Sequence, residues 1–185
     1  MSAFVQSNFE RRENDDCQSI DDRLVPALFD ATEDTGISLK GPFWEPCAPT
    51  GSGLTKAILT EASKRGDKNQ HIYFSPDAVD PCPLGTRTLI TNPPYSPPRL
   101  ASDIVRRGRD LVQAGEIETA VYLLRSGWDH ARSREDIFSS PVFAGLVRLR
   151  FRPWWSDQRT ASPIHNYQWV IFSRGLPRPI VMYGG

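Results

Sequence analysis

Apolar positions along this chain follow two periods in turn. Pro42-Phe43-Trp44-Glu45, His71-Ile72-Tyr73-Phe74, Arg87 to Thr91 and Thr119 to Leu124 are short apolar runs and read as strands. Between them the spacing is helical. Asp21 to Ala31 places Leu24, Ala27 and Leu28 on one face, and Leu54 to Lys64 does the same with Leu54, Ala57, Ile58 and Ala62 before Gly66 stops it. Arg99 to Val112 reads as a helix, and a short one follows near Arg132 to Phe138. Leu146 to Phe151 and Tyr167 to Ser173 read as a closing antiparallel pair, with Trp169 inside an alternating, core-facing pattern. The alternation predicts an α/β domain, mostly parallel, with helices on both faces of its sheet. Phe74 and Thr88 are separated by 13 residues, too few for a full helix-strand-helix insertion, so the sheet is expected to be abbreviated in the middle. No internal repeat is visible. A polar arm over 1–19 and a single domain over 20–185 are expected.

The chemistry concentrates where the third strand stops. Asn92-Pro93-Pro94-Tyr95 follows Thr88-Leu89-Ile90-Thr91 directly, and two prolines forbid the strand's continuation. An Asn and a Tyr are thus held at the carboxyl end of a strand, where open α/β sheets bind ligands. The Asn92 carboxamide oxygen and the Pro93 carbonyl can accept hydrogen bonds from an exocyclic amine, and the Tyr95 ring can stack on a flat base. Such hydrogen bonds return electron density to a nitrogen that conjugation makes a poor nucleophile. The tetrapeptide resembles the catalytic signature of S-adenosylmethionine-dependent amino-methyltransferases, which makes Asn92, Pro93, Pro94 and Tyr95 the expected catalytic residues.

A second constellation lies between the first strand and its helix. Glu45-Pro46-Cys47-Ala48-Pro49-Thr50-Gly51-Ser52-Gly53 is a glycine turn whose backbone can approach a ligand closely. It resembles the cofactor motif of the same family, acid-Pro-x-Ala-Gly-x-Gly, with Pro49 standing where the family has its first glycine. The resemblance implies that Glu45, Pro46, Cys47, Ala48, Gly51 and Gly53 hold S-adenosylmethionine, together with Asn92. An acid for the ribose hydroxyls is expected roughly 20 residues past the glycines. Asp77 lies 24 residues beyond Gly53, with Asp80 as the alternate, while Ser75 occupies the strand tip. The same turn also looks like the phosphate loop of helicase-type ATPases. That reading fails on Leu54, which stands where the lysine should be, and on the lack of an Asp-Glu pair ending a later strand.

Composition narrows the setting. The chain has 185 residues, is 39% hydrophobic and contains five Trp, which suits a globular domain with a real core. No apolar run approaches the roughly 20 residues needed to cross a membrane, so no membrane partner is expected. The polar, acidic Met1 to Asp22 is unlike a signal peptide. Cys17, Cys47 and Cys82 are odd in number and lack C-x-x-C spacing, which points to a reducing, cytoplasmic setting. His71 and Cys82 do not make a metal site, and no metal is expected. Net charge is zero but divided: −6 up to residue 86, and +6 from Arg87 onward, where all 14 basic residues are Arg. Arginine grips phosphates bidentately, which suits nucleic acid; pairs such as Arg132 with Asp136 could instead absorb the charge. Arg152-Pro153-Trp154-Trp155 and Ser162 to Trp169, with His165, interleave aromatics and polar groups as base-stacking segments do.

Together these features identify the chain as similar to small bacterial and phage N6-adenine DNA methyltransferase-like proteins, with a Rossmann-like fold. The resemblance implies methyl transfer to the N6 amine of adenine, with DNA favoured over RNA as partner. Two alternatives stay open. One is an inactive relative that binds nucleic acid or a protein. The other is a methyltransferase acting on RNA or on protein glutamine.

Overall fold

The structure, a computed structural model, describes residues 21–47, 52–74, 80–95, 98–154, 165–176 and 179–185. The expected arm over 1–19 lies outside them, as do Ala48, Gly51, Asp77 and Trp155.

Seven strands form one sheet. In chain order the elements are α1 (Leu24–Thr32), β1 (Phe43–Glu45), α2 (Gly53–Lys64), β2 (Ile72–Phe74), β3 (Thr88–Thr91), α3 (Pro98–Ala114), β4 (Thr119–Arg125), α4 (Glu135–Phe138), β5 (Phe143–Leu149), β6 (Tyr167–Ser173) and β7 (Ile180–Gly184). The strand order is β2-β1-β3-β4-β6-β5-β7. β6 runs against β4 and β5, and the other neighbouring pairs are parallel.

Parallel strands need cover on both faces, and the sequence supplies it. All four residues of β3 are buried, as are all seven of β6. On one face α1 and α2 pack Leu24, Leu28, Leu54 and Ile58 against Ile90, Val121, Leu123, Trp169 and Ile171. The Trp169 indole Nε1 donates to the Leu24 carbonyl at 3.1 Å, which pins α1 to β6. On the other face α3 and α4 pack Ile104, Val105, Val112 and Ile137 against Leu89, Tyr122, Leu124, Val170 and Phe172. Gly108 lets α3 approach β4 closely, because a Cβ there would lie 1.6 Å from the Tyr122 hydroxyl.

Two elements differ from the sequence reading. β7 was not expected. It pairs with β5 beside Gly145, which sits at a bulge with φ +147, a value that favours glycine. A Cβ on Gly145 would fall 2.0 Å from the Ile180 carbonyl oxygen. The middle of the chain is short as expected, and β7 brings the sheet to seven strands from the other edge. The second difference is Asp136, which pairs not with Arg132 but across helices with Arg106 (2.8 Å) and Arg109 (3.1 Å) of α3.

The chain leaves β1 through α2 to reach β2 on one side, then places β3 on the other side of β1. The order therefore reverses between β1 and β3, and the carboxyl ends at such a reversal are where open α/β sheets bind ligands. β1 ends at Glu45, and β3 runs into Asn92.

Candidate functional site

The two sequence motifs meet at this reversal. Glu45, the last residue of β1, is 1% exposed. Its Oε1 accepts from the Cys47 backbone N–H at 3.1 Å and from the Thr91 hydroxyl. Thr91 is the last residue of β3 and precedes Asn92. A hydrogen bond between side chains thus joins the acid of one motif to the strand that presents the other. Burial pushes the Glu45 carboxyl up to about 8, against the two hydrogen bonds that favour its charge, so the group carries its proton at neutral pH. Its Oε2 is buried and has no hydrogen-bond partner among the described residues.

Asn92 is 1% exposed, Pro93 is buried, and Pro94 and Tyr95 are half-buried. The Tyr95 hydroxyl donates to the Leu123 carbonyl of β4 at 2.9 Å. The ring meets Tyr167 edge-on, with centroids 6.5 Å apart, and the Arg125 guanidinium lies 5.1 Å from its centroid. The residue is therefore fixed by its hydroxyl at the corner between β3, β4 and β6.

On the β1 side, Pro46 and Cys47 are buried in the turn that leaves the strand. Gly53 opens α2, whose N-terminus is capped by Ser52: its Oγ accepts from the Thr55 N–H at 3.1 Å. The helix thus starts at the carboxyl end of β1 and carries its positive dipole end there. Gly53 also lines a groove of about 760 Å³ shared with Pro26, Asp30 and Phe151, whereas Glu45, Cys47 and Asn92 do not line it. Asp80 is exposed, and its backbone carbonyl accepts from Arg107, whose guanidinium lies 5.4 Å from the Trp44 ring. Trp154 donates its backbone N–H to Asp21 at 3.1 Å, and His165 is exposed, with burial and then Arg125 lowering its pKa.

Sequence reasoning missed Thr91 and Arg125. A hydroxyl at the last position of a wholly buried strand was the available signal for Thr91. Nothing local marks Arg125, because its relation to Tyr95 exists only through strand pairing.

No protein-family model matches the chain, and no curated protein matches it either. Solved structures do. The crystal structure of a putative class I S-adenosylmethionine-dependent methyltransferase from Listeria monocytogenes superposes with a TM-score of 0.55 at 8% identity, over 94% of this chain and 67% of that chain. The chain has the Rossmann-like methyltransferase fold. A dimethyladenosine transferase from Plasmodium falciparum superposes with a TM-score of 0.47 at 13% identity, over 84% of this chain and 62% of that one. Glu45, Thr91 and Asn92 converge at the strand-order reversal between β1 and β3. Among the described residues no helix is long and apolar enough to cross a membrane.

Proposed function

We propose that the protein is an S-adenosylmethionine-dependent methyltransferase that methylates the N6 amine of adenine in DNA. The observation that carries this reading is the hydrogen bond between Thr91 and Glu45, which brings the cofactor-type turn and Asn-Pro-Pro-Tyr together at the strand-order reversal.

The residues fit the cofactor. The amides at the start of α2 suit a carboxylate, and the buried Glu45 Oε2, which holds the proton in the free protein, becomes an acceptor for an ammonium group once that proton is released. Pro46, Cys47, Ala48, Gly51 and Asp77 complete the proposed cofactor set on sequence grounds. When bound, S-adenosylmethionine supplies an electrophilic methyl group. Asn92 and the Pro93 carbonyl accept the two amine hydrogens of the target and aim its lone pair, while the Tyr95 ring supports the base. The base leaves the duplex first, because pairing buries its amine. No covalent enzyme intermediate is needed.

Asn92→Ala removes the side-chain acceptor and is expected to abolish methyl transfer to unmethylated DNA while the far-ultraviolet circular dichroism spectrum is kept. Wild-type activity in that variant would refute the role of Asn92. A second reading, a cofactor-free relative that binds nucleic acid, is favoured by Pro49 at the motif glycine, since proline removes a backbone donor.

A further inference from the structure

A second groove, of about 600 Å³, lies at the carboxyl ends of β5 and β7 and the amino end of β6, on the face that α3 and α4 cover elsewhere. Strand register builds its floor. Gln168, Arg148 and Tyr183 stand side by side across β6, β5 and β7. The next row outward holds Asn166, just before β6, and Arg150, just after β5, and Arg152 follows, its Nε donating to the Asn166 Oδ1 at 3.0 Å. The turn at Asp129 and His130 forms the wall, and the Asp129 carboxylate accepts from Gln168 at 3.0 Å.

Helical cover runs out at this edge of the sheet. Val181 and Tyr183 are 53% and 56% exposed, and Arg148, Arg150 and Arg152 are all exposed. Part of the basic half that the sequence singled out is neutralised, Arg87 by Glu118 and Arg106 and Arg109 by Asp136. Arg148 and Arg150 form no ion pair with any described residue. Arg150 instead lies 5.3 Å from the Tyr183 ring centroid. Arg152 lies beside them with its Nε on Asn166, and the Asp129 carboxylate is engaged by Gln168. Arginine forks beside an exposed aromatic ring match a strand that offers phosphates and unpaired bases.

Strand pairing ties the rim of the groove to the candidate site. The Ser126 N–H donates to the Asn166 carbonyl at 2.9 Å, Arg125 is paired with Tyr167, and both residues flank Tyr95. At a strand spacing near 4.8 Å, β6 lies about 10 Å from β3 and β5 about 14 Å.

We infer that this groove holds the single-stranded DNA segment flanking the target base, with Arg148, Arg150 and Arg152 on its phosphates and Tyr183 under one of its bases. The inference rests on the proposed DNA methyltransferase reading. The test is fluorescence anisotropy of a labelled single-stranded DNA oligonucleotide with the full chain, as a function of salt. Three phosphate contacts predict a slope of log K against log salt near −2, at about −0.7 each. In Arg148→Ala/Arg150→Ala the slope should fall to about −0.7, and affinity at 0.1 M salt should drop about 25-fold. Titration of S-adenosylmethionine into the double variant, expected to match wild type, reports that fold and cofactor site are intact. Equal oligonucleotide binding by variant and wild type would overturn the inference. So would tighter binding of the RNA of the same sequence, or no binding by wild type at about 50 mM salt. A protein that binds the strand but no cofactor would sink the methyltransferase reading and leave the groove standing.

Discussion

Burial of Glu45 makes stability depend on pH, and Glu45→Gln should remove that dependence. The carboxyl is 1% exposed, and loss of hydration outweighs its hydrogen bonds from Thr91 and Cys47, so its pKa rises from 4.5 to about 8. The unfolded chain titrates near 4.5. Between the two values the folded protein holds a proton that the unfolded chain has released, so stability falls as pH rises. The contribution is fully present below 4.5 and lost by about 8. At about 1.4 kcal/mol per pH unit, the whole window spans roughly 5 kcal/mol. Urea unfolding of wild type and Glu45→Gln between about pH 5 and pH 8 measures it. Glutamine keeps an oxygen for the Thr91 hydroxyl and the Cys47 amide but cannot ionise. His165 acts with opposite sign: burial and then Arg125 lower its pKa, so its contribution rises with pH. Both proteins carry that histidine, so the difference between their curves isolates Glu45. The wild-type curve should fall more steeply with pH than the variant curve. Coincident slopes would refute the argument that Glu45 is protonated in the fold.

Two further substitutions probe the same corner. Thr91→Val keeps shape but removes the donor to Glu45, and a buried hydrogen bond lost this way costs about 1–3 kcal/mol. An unchanged urea midpoint would show that the bridge between the motifs is energetically silent. Tyr95→Phe removes the 2.9 Å bond to the Leu123 carbonyl and should cost about 0.5–1.5 kcal/mol, with methyl transfer retained because the ring remains. Complete loss of transfer in that variant would place the hydroxyl in the chemistry itself.

Much of the scaffold was legible because burial writes itself into the pattern. β3 and β6 are wholly buried, β3 reading as a short apolar run and β6 as a strand with Trp169 facing the core, and α1 and α2 show their buried positions at helical spacing. β7 was not legible. Its residues alternate between half-buried and exposed until Gly184, prolines precede it, and its pairing depends on the conformation of Gly145, some 35 positions earlier. Asp136 was misassigned because a local helical pair looked sufficient, whereas α3 brings two arginines from about 30 positions away. At the site, Asn92 and Glu45 were readable as motif members. Their junction was not, since Thr91 and Glu45 lie 46 positions apart and meet only through parallel pairing on opposite sides of a strand-order reversal.

The central claim is that this corner binds S-adenosylmethionine and passes its methyl group to an amine. Calorimetric titration of S-adenosylmethionine into the purified protein tests it most directly. Micromolar binding with a stoichiometry of about one is predicted. No heat of binding at millimolar cofactor would contradict the account and leave a methyltransferase fold that works without the cofactor.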